Sequence, residues 1–210
     1  MRHVGRRSRL EAELSDRPLV APHPPLANGR VALRTWELAD AKRLVDAWNE
    51  PEIMHFTEVP AARTLADAET WIAGGATRRL RRLALDLVIT SPGSGSVLGE
   101  VGFWNFNDPS NGAMLGYWLL KAHRGRGNAR AAVELAVDWA MADHGLGLDL
   151  LVAKVDRDNE ASERLLRALG FRLERNDVDG HRLFTHRATQ AAPEAPSARD
   201  EVTASVNPSK

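Results

Sequence analysis

The chain has 210 residues, 28 basic against 28 acidic, and no cysteine. That length suits one domain with a full core, and the balanced charge gives no reason to expect nucleic acid or an acidic membrane surface as a partner. Without cysteine there is no disulfide framework, thiolate metal site or cysteine nucleophile. No apolar run reaches the roughly 18 residues of a membrane span, and no apolar signal-peptide core follows Arg6-Arg7, so a soluble cytoplasmic protein is expected.

Residues 1 to 28 combine basic residues with Pro18, Pro22, Pro24 and Pro25, show no apolar period, and read as an arm without packed structure. Val31, Leu33 and Thr35 alternate with polar neighbours and predict a first strand. Asp40 is expected to cap a helix with Ala41, Leu44, Val45 and Trp48 on its apolar side, closing before Pro51. A loop from Glu52 to Arg63 follows, carrying Ile53, Met54, His55, Phe56 and Glu58. Thr64 and Asp67 have the spacing of a capping box for the next helix, which buries Ala68, Trp71 and Ile72. Helix, loop and helix form a candidate lid; Ile53 and Phe56 could equally plug the core. Arg78, Arg79, Arg81 and Arg82 read as a solvated helix end.

Leu83 to Thr90 and Val97 to Asn105 predict an antiparallel pair of strands joined by a turn over Ser91 to Ser96. After a loop from Phe106 to Gly112 comes a strand, Ala113 to Leu120, whose internal Gly116 suggests a bulge or a close approach by another group. The helix that follows stacks Ala129, Ala132, Val133, Ala136, Val137 and Ala140 on one stripe, and Leu148 to Val155 is a nearly continuous apolar strand. Strand, loop, helix and strand make a crossover, so these two strands should be parallel. Asn159 is expected to cap the last helix, which ends at Gly170; Phe171 to Arg175 and His181 to Arg187 then form a hairpin about Asp179-Gly180. From Ala188 the tail has no periodicity and is expected to be disordered.

The loop Arg124-Gly125-Arg126-Gly127-Asn128-Ala129 opens that crossover helix. Unpaired N–H groups at a helix start, two glycines that allow close approach and arginines at the rim suit a pyrophosphate. A Walker-type loop would need Lys and Ser or Thr after the last glycine, where Asn128 and Ala129 stand. A dinucleotide loop would need a small residue at Arg130. What remains is Gln/Arg-x-x-Gly-x-Gly/Ala, matched by Arg124, Gly127 and Ala129. This resembles the acyl-coenzyme A loop of the GNAT N-acetyltransferases. The order of elements, Asn159-x-x-Ser162 and Leu169-Gly170-Phe171 extend the resemblance over residues 30 to 187. Gly116-Tyr117-Trp118-Leu119 and Leu33-Arg34 resemble the RimJ/RimL branch in particular.

The resemblance implies an α+β GNAT fold: a mixed, mostly antiparallel sheet of about seven strands with about four helices, and one parallel pair splayed around a cofactor cleft. The domain would span 29–187 between the arm and the tail 188–210. It implies transfer of an acetyl group from acetyl-CoA to a primary amine, on a protein N-terminus or a small molecule such as an antibiotic. Main-chain amides of about Arg126 to Arg130 would hold the pyrophosphate in a cofactor loop of Arg124, Gly125, Arg126, Gly127, Asn128, Ala129 and Arg130, Leu119, Leu120 and Lys121 would pair with the pantetheine arm, and Asn159 would reach the cofactor. A bulge near Gly116 to Trp118 would splay the strands.

Leu166 stands where many members have an acidic tyrosine, and Met114 where the branch has glutamate. The resemblance implies Ser162, at a position where this branch often offers a serine instead, as the donor to the departing sulfur; Glu100, expected to face the cleft, is the candidate base, with His55 and Glu58 behind it. His55, Phe56, Glu58 and Tyr117 are candidate acceptor contacts, and Asp108, Glu52 and Glu58 could make the pocket acidic. The histidines lack metal-ligand spacing, so no metal is expected. A different reading is a module that binds acyl-CoA or another ligand without turnover. A third has the basic arm, Arg2 to Arg9, dock on nucleic acid. A monomer or homodimer is compatible with everything above.

Overall fold

The computed structural model describes residues 17–108 and 110–188. Among them, eight strands form one sheet in the order β1-β2-β3-β4-β5-β6-β8-β7: β1 (Leu26–Ala27), β2 (Ala32–Thr35), β3 (Ala84–Thr90), β4 (Val97–Asp108), β5 (Gly112–Leu119), β6 (Leu150–Asp156), β7 (Arg172–Val178) and β8 (His181–Arg187). Six α-helices complete the fold: α1 (Ala41–Trp48), α2 (Pro51–Phe56), α3 (Leu65–Ala73), α4 (Gly75–Leu80), α5 (Asn128–Met141) and α6 (Glu160–Ala168). All neighbouring strands are antiparallel except β5 and β6. The crossover through α5 requires that exception.

Alternation along the strands sends side chains into two separate cores. Leu85, Leu87 and Ile89 of β3, Val101 and Phe103 of β4, and Leu115 and Leu119 of β5 pack with α5 and with Leu166 of α6. Val88 and Val97 point the other way and join Trp36, Leu44, Trp48, Ile53 and Ile72 beneath α1, α2 and α3. In β5 this parity places Tyr117 against the first core and Trp118 against the second. Two adjacent residues thus serve opposite faces of the sheet.

Parallel pairing of β5 with β6 covers only Gly112↔Leu150, Ala113↔Leu151 and Met114↔Val152. Beyond Met114 the strands part. The expected bulge near Gly116 to Trp118 is absent: β5 keeps register with β4 from Met114 to Leu119, and the irregularity lies in β4 between Trp104 and Asp108, where Asn105 has φ 59°. Gly116 serves the ring of Trp104, because a Cβ there would come 2.8 Å from that ring.

Four further expectations are corrected. Within the supposed arm, Leu19 is buried, its N–H donates to Arg79 O at 3.1 Å, and β1 pairs with β2; residues 1–16 and the tail beyond residue 188 lie outside the described residues. The loop from Glu52 contains α2, started by Pro51 at the position where a missing N–H costs nothing. Asp40 precedes α1 without capping it: its carboxylate accepts the Glu37 N–H at 2.9 Å and the Arg34 guanidinium at 2.7 and 3.0 Å. Arg78 is not a solvated end. It donates to Asp86 at 3.0 Å and to Trp71 O at 2.7 Å, and lies 4.0 Å from the Trp71 ring centre. The Thr64/Asp67 capping box is present as read.

Candidate active site

A cleft of about 440 Å³ opens where β5 and β6 diverge. Its walls come from α2 (Glu52, Ile53, Phe56), from β5 (Tyr117, Trp118, Leu119), from the glycine loop and the start of α5, and from the first turns of α6. The loop behaves as its sequence requires. Gly125 and Gly127 have φ 71° and 79°, conformations that side-chain-bearing residues avoid, and a Cβ on either would meet open space. Gly127 is the N-cap of α5, so the dipole and first amides of a 14-residue helix face this region. Ala129 and Arg130 also line the cleft. Such a cradle fits a phosphate group.

Opposite it, Asn159 caps α6 by accepting the Ser162 N–H at 3.0 Å. Ser162 Oγ lies 2.6 Å from the Tyr117 hydroxyl. Burial pushes the Tyr117 phenol up to about 12, with the Ser162 hydrogen bond acting in the opposite direction. A phosphate cradle and a hydroxyl pair therefore flank one opening between splayed parallel strands. The sequence profile of the acetyltransferase (GNAT) domain matches residues 30–172. The chain belongs to the GNAT acetyltransferase family.

It is accordingly an acetyl-CoA-dependent acyltransferase. The uncharacterized N-acetyltransferase p20 of Bacillus licheniformis is 32% identical over 146 residues, 69% of this chain and 80% of that protein. Among solved structures, ribosomal-protein-S5-alanine acetyltransferase from Vibrio fischeri superposes with a TM-score of 0.68 at 20% identity, over 80% of this chain and 99% of that one. Mycobacterium smegmatis RimJ, solved with a CoA disulfide, gives 0.65 at 23% identity, over 81% and 86%. These neighbours share the GNAT fold with this chain.

Within this GNAT cleft the expected residues divide. Leu119, Arg124, Gly125, Gly127, Ala129, Arg130, Asn159, Ser162, Phe56 and Tyr117 line it. Leu120, Lys121, Arg126 and Asn128 do not. Leu120 is buried in the second core, Arg126 is exposed, and Asn128 turns its amide to His123 O at 3.0 Å. The strand edge expected to take pantetheine is largely engaged already: the Leu119 carbonyl accepts Arg124 Nε at 2.8 Å, the Leu120 N–H donates to Leu98 O at 2.9 Å, and the Lys121 N–H donates to Glu50 at 2.9 Å.

Arg124 is also corrected from a rim cation to a latch. Its guanidinium holds Glu50 at 2.9 Å and Glu52 at 2.5 Å, tying the start of α2 to the glycine loop. The sequence reading missed both glutamates as partners; Glu-Pro-Glu at a helix start was the available signal. Arg124→Lys cannot reproduce this three-way fork. It is expected to weaken coenzyme A binding about tenfold, one to two kcal/mol, and to speed hydrogen exchange over residues 51–56. Calorimetry and exchange mass spectrometry would read these together.

Glu100 does not line the cleft, contrary to expectation. Because Val101 and Phe103 serve the first core, Glu100 faces the second, where Trp36 Nε1 donates to it at 2.7 Å and Trp118 Nε1 at 3.2 Å. Trp118, in turn, does line the cleft. Burial, reinforced by the charge of Asp86, raises the Glu100 carboxyl from 4.5 to about 8, against the two indole hydrogen bonds and Arg78. His55 and Glu58 are exposed on and after α2 and do not line the cleft; the His55 ring packs edge-on to Phe56 at 4.6 Å.

A raised carboxyl has a definite sign in stability. Between pH 4.5 and about 8 the folded state binds more protons at Glu100 than the unfolded state, so stability falls as pH rises through this window. Glu100→Gln removes that dependence. The variant-minus-wild-type unfolding free energy should therefore climb with pH across the window, on the order of 3 kcal/mol in all. Urea titrations at pH 5 and 8 would test this; a difference that does not change with pH would contradict it.

Proposed function

We propose that this chain transfers acetyl from acetyl-CoA to a single primary amine, on a peptide terminus or a small molecule of low charge, by direct attack in the cleft. The observation that carries the reading is the cleft's charge. Among the described residues its one lining carboxylate, Glu52, is paired with Arg124, which also holds Glu50; Arg164 pairs with Glu160, and Arg130 lines the cleft beside the glycine loop. Such a lining suits the anionic phosphates of coenzyme A and offers a polycationic acceptor no unpaired carboxylate. Among the described residues no acidic pocket that would suit an aminoglycoside is assembled, since Glu58 is exposed outside the lining and Glu52 is paired; the Asp108 side chain lies outside the described residues. Proteins of similar fold named as a ribosomal-protein-S5-alanine acetyltransferase and a ribosomal L7/L12 alpha-N-protein acetyltransferase give the peptide terminus added weight.

The residues fit the cosubstrate, since the two glycines leave the helix start open. Gly125, Gly127, Ala129 and Arg130 would hold the pyrophosphate and Asn159 the far side of the arm. Bound acetyl-CoA supplies an activated acyl carbon. Main-chain groups of β5 past Met114, where the ladder with β6 stops, would polarise the acyl oxygen. Ser162 would donate a hydrogen bond to the departing sulfur. Glu100, titrating near the ordinary range of an α-amino group, would take the acceptor's proton through water at the Trp118 edge of the cleft. Positioning supplies most of the rate.

Initial rates of coenzyme A release against peptides, simple monoamines, polyamines and aminoglycosides test this. Peptides or monoamines should exceed the polycations by at least about tenfold in kcat/KM, about 1.4 kcal/mol. A preference for polycations would overturn the acceptor assignment. Coenzyme A binding without release on any amine would favour the module that binds without turnover.

A further inference from the structure

We propose that Tyr117 is a positioning residue for Ser162, and that Ser162, so held, donates the hydrogen bond to the sulfur of coenzyme A as the thioester breaks. The inference rests on the acyl-transfer reading above and adds to it a residue from a different element.

Leu166, one turn after Ser162 on α6, is wholly buried in the first core and offers no proton. Tyr117 brings a phenol to the same helix from the sheet. Strand parity fixes it there: it shares the face of Leu115 and Leu119 and packs against the first core. From that position its oxygen reaches 2.6 Å from Ser162 Oγ and 3.5 Å from Ser162 O. Ser162 is immobilised from the other side, its N–H held by Asn159. Both residues line the cleft.

Two paired hydroxyls share one proton and keep the second available. A phenol is the stronger acid, so Tyr117 donates to Ser162 Oγ and the serine proton is left to point into the cleft. Donation to the serine oxygen polarises its O–H and makes it a better donor in turn. Burial holds the phenol near 12, far above the ~8.5 of an ordinary thiol, so neither hydroxyl surrenders its proton to the thiolate. The pair stabilises charge and is unchanged after each turnover. In the transfer itself the amine nitrogen bonds to the acyl carbon and the carbon–sulfur bond breaks with its electron pair on sulfur. The surplus proton on nitrogen leaves to Glu100 or water, and the thiolate is later protonated from water.

The chain contains no cysteine and one tyrosine, so coenzyme A carries the only thiol in a mixture with this protein. Its thiolate absorbance can therefore be titrated while bound, below the range in which Tyr117 ionises. The charged residues facing the cleft, Glu52, Arg124, Arg130 and Arg164, are common to wild type and variants, so differences report the hydroxyls. The bound thiol should ionise at lower pH in the wild type than in Ser162→Ala or Tyr117→Phe, by about half to one pH unit. In acetyl transfer each variant should lose about tenfold in kcat with little change in KM for acetyl-CoA, the double variant should lose no more than the worse single one, and Ser162→Thr should retain part of the rate. Identical thiol titrations in wild type and Tyr117→Phe, or losses that multiply in the double variant, would overturn the proposal. A thiol shift that depends on both hydroxyls, with no amine acetylated, would uphold the pair and overturn the transfer reading.

Discussion

Gly127→Val should abolish measurable coenzyme A binding, a loss of at least about 100-fold or 2.7 kcal/mol, while leaving the fold intact. Gly127 has φ 79°, caps α5 and lines the cleft, and a Cβ there meets no protein atom. The side chain therefore clashes with nothing until a ligand occupies the cradle. Its cost to the free protein is that of a left-handed residue, about 1–2 kcal/mol, or a few degrees in melting temperature for a chain of this size. Gly95 provides the control. It has φ 66° and equally open surroundings in the turn between β3 and β4. Gly95→Val should lower the melting temperature similarly and leave binding unaltered. Equal binding by both variants would remove the glycine loop from cofactor recognition.

The second large effect concerns stability. Arg78→Ala should cost about 3 kcal/mol at pH 8, because breaking a half-buried ion pair leaves an uncompensated carboxylate. Arg78 and Asp86 side chains are 22% and 17% exposed, and burial already raises the Asp86 carboxyl against the pull of Arg78. Without the guanidinium that carboxyl rises further, so the variant's deficit should shrink as acid protonates Asp86. Loss of the contact with the Trp71 ring adds to it, since Trp71 stands edge-on to both Trp36 and Trp48 at 6.2 Å. Asp86→Asn, which removes the charge and keeps the shape, should cost much less. Urea unfolding of the three proteins at pH 5 and 8 would check the ordering; equal deficits for both variants would contradict it.

Arg78 also shows where sequence reading stops. A run of four arginines at a helix end is ordinarily solvated, and nothing local says that β3 returns Asp86 beneath the first of them. The glycine loop, the Thr64 box and the parallel crossover were legible because each is specified within a few residues by backbone conformation or period. A six-residue α2 is too short for periodicity to distinguish it from a loop, and β1 exists only through pairing with β2. Glu100 was half legible. The alternation of Val101 and Phe103 fixes it on the opposite face from the first core, but which face opens to the cleft depends on where β5 and β6 part. From sequence Tyr117 reads only as an acceptor contact. Its pairing with Ser162 joins residues 45 apart and could be seen only in three dimensions.

The most direct test of the central claim is mass analysis of the products formed from acetyl-CoA and a peptide with a free N-terminus, with Gly127→Val alongside. The account predicts one acetyl group on the amine for each coenzyme A released, and neither product with the variant. Coenzyme A released without acetylated amine, or acetylated amine formed equally by the variant, would contradict it.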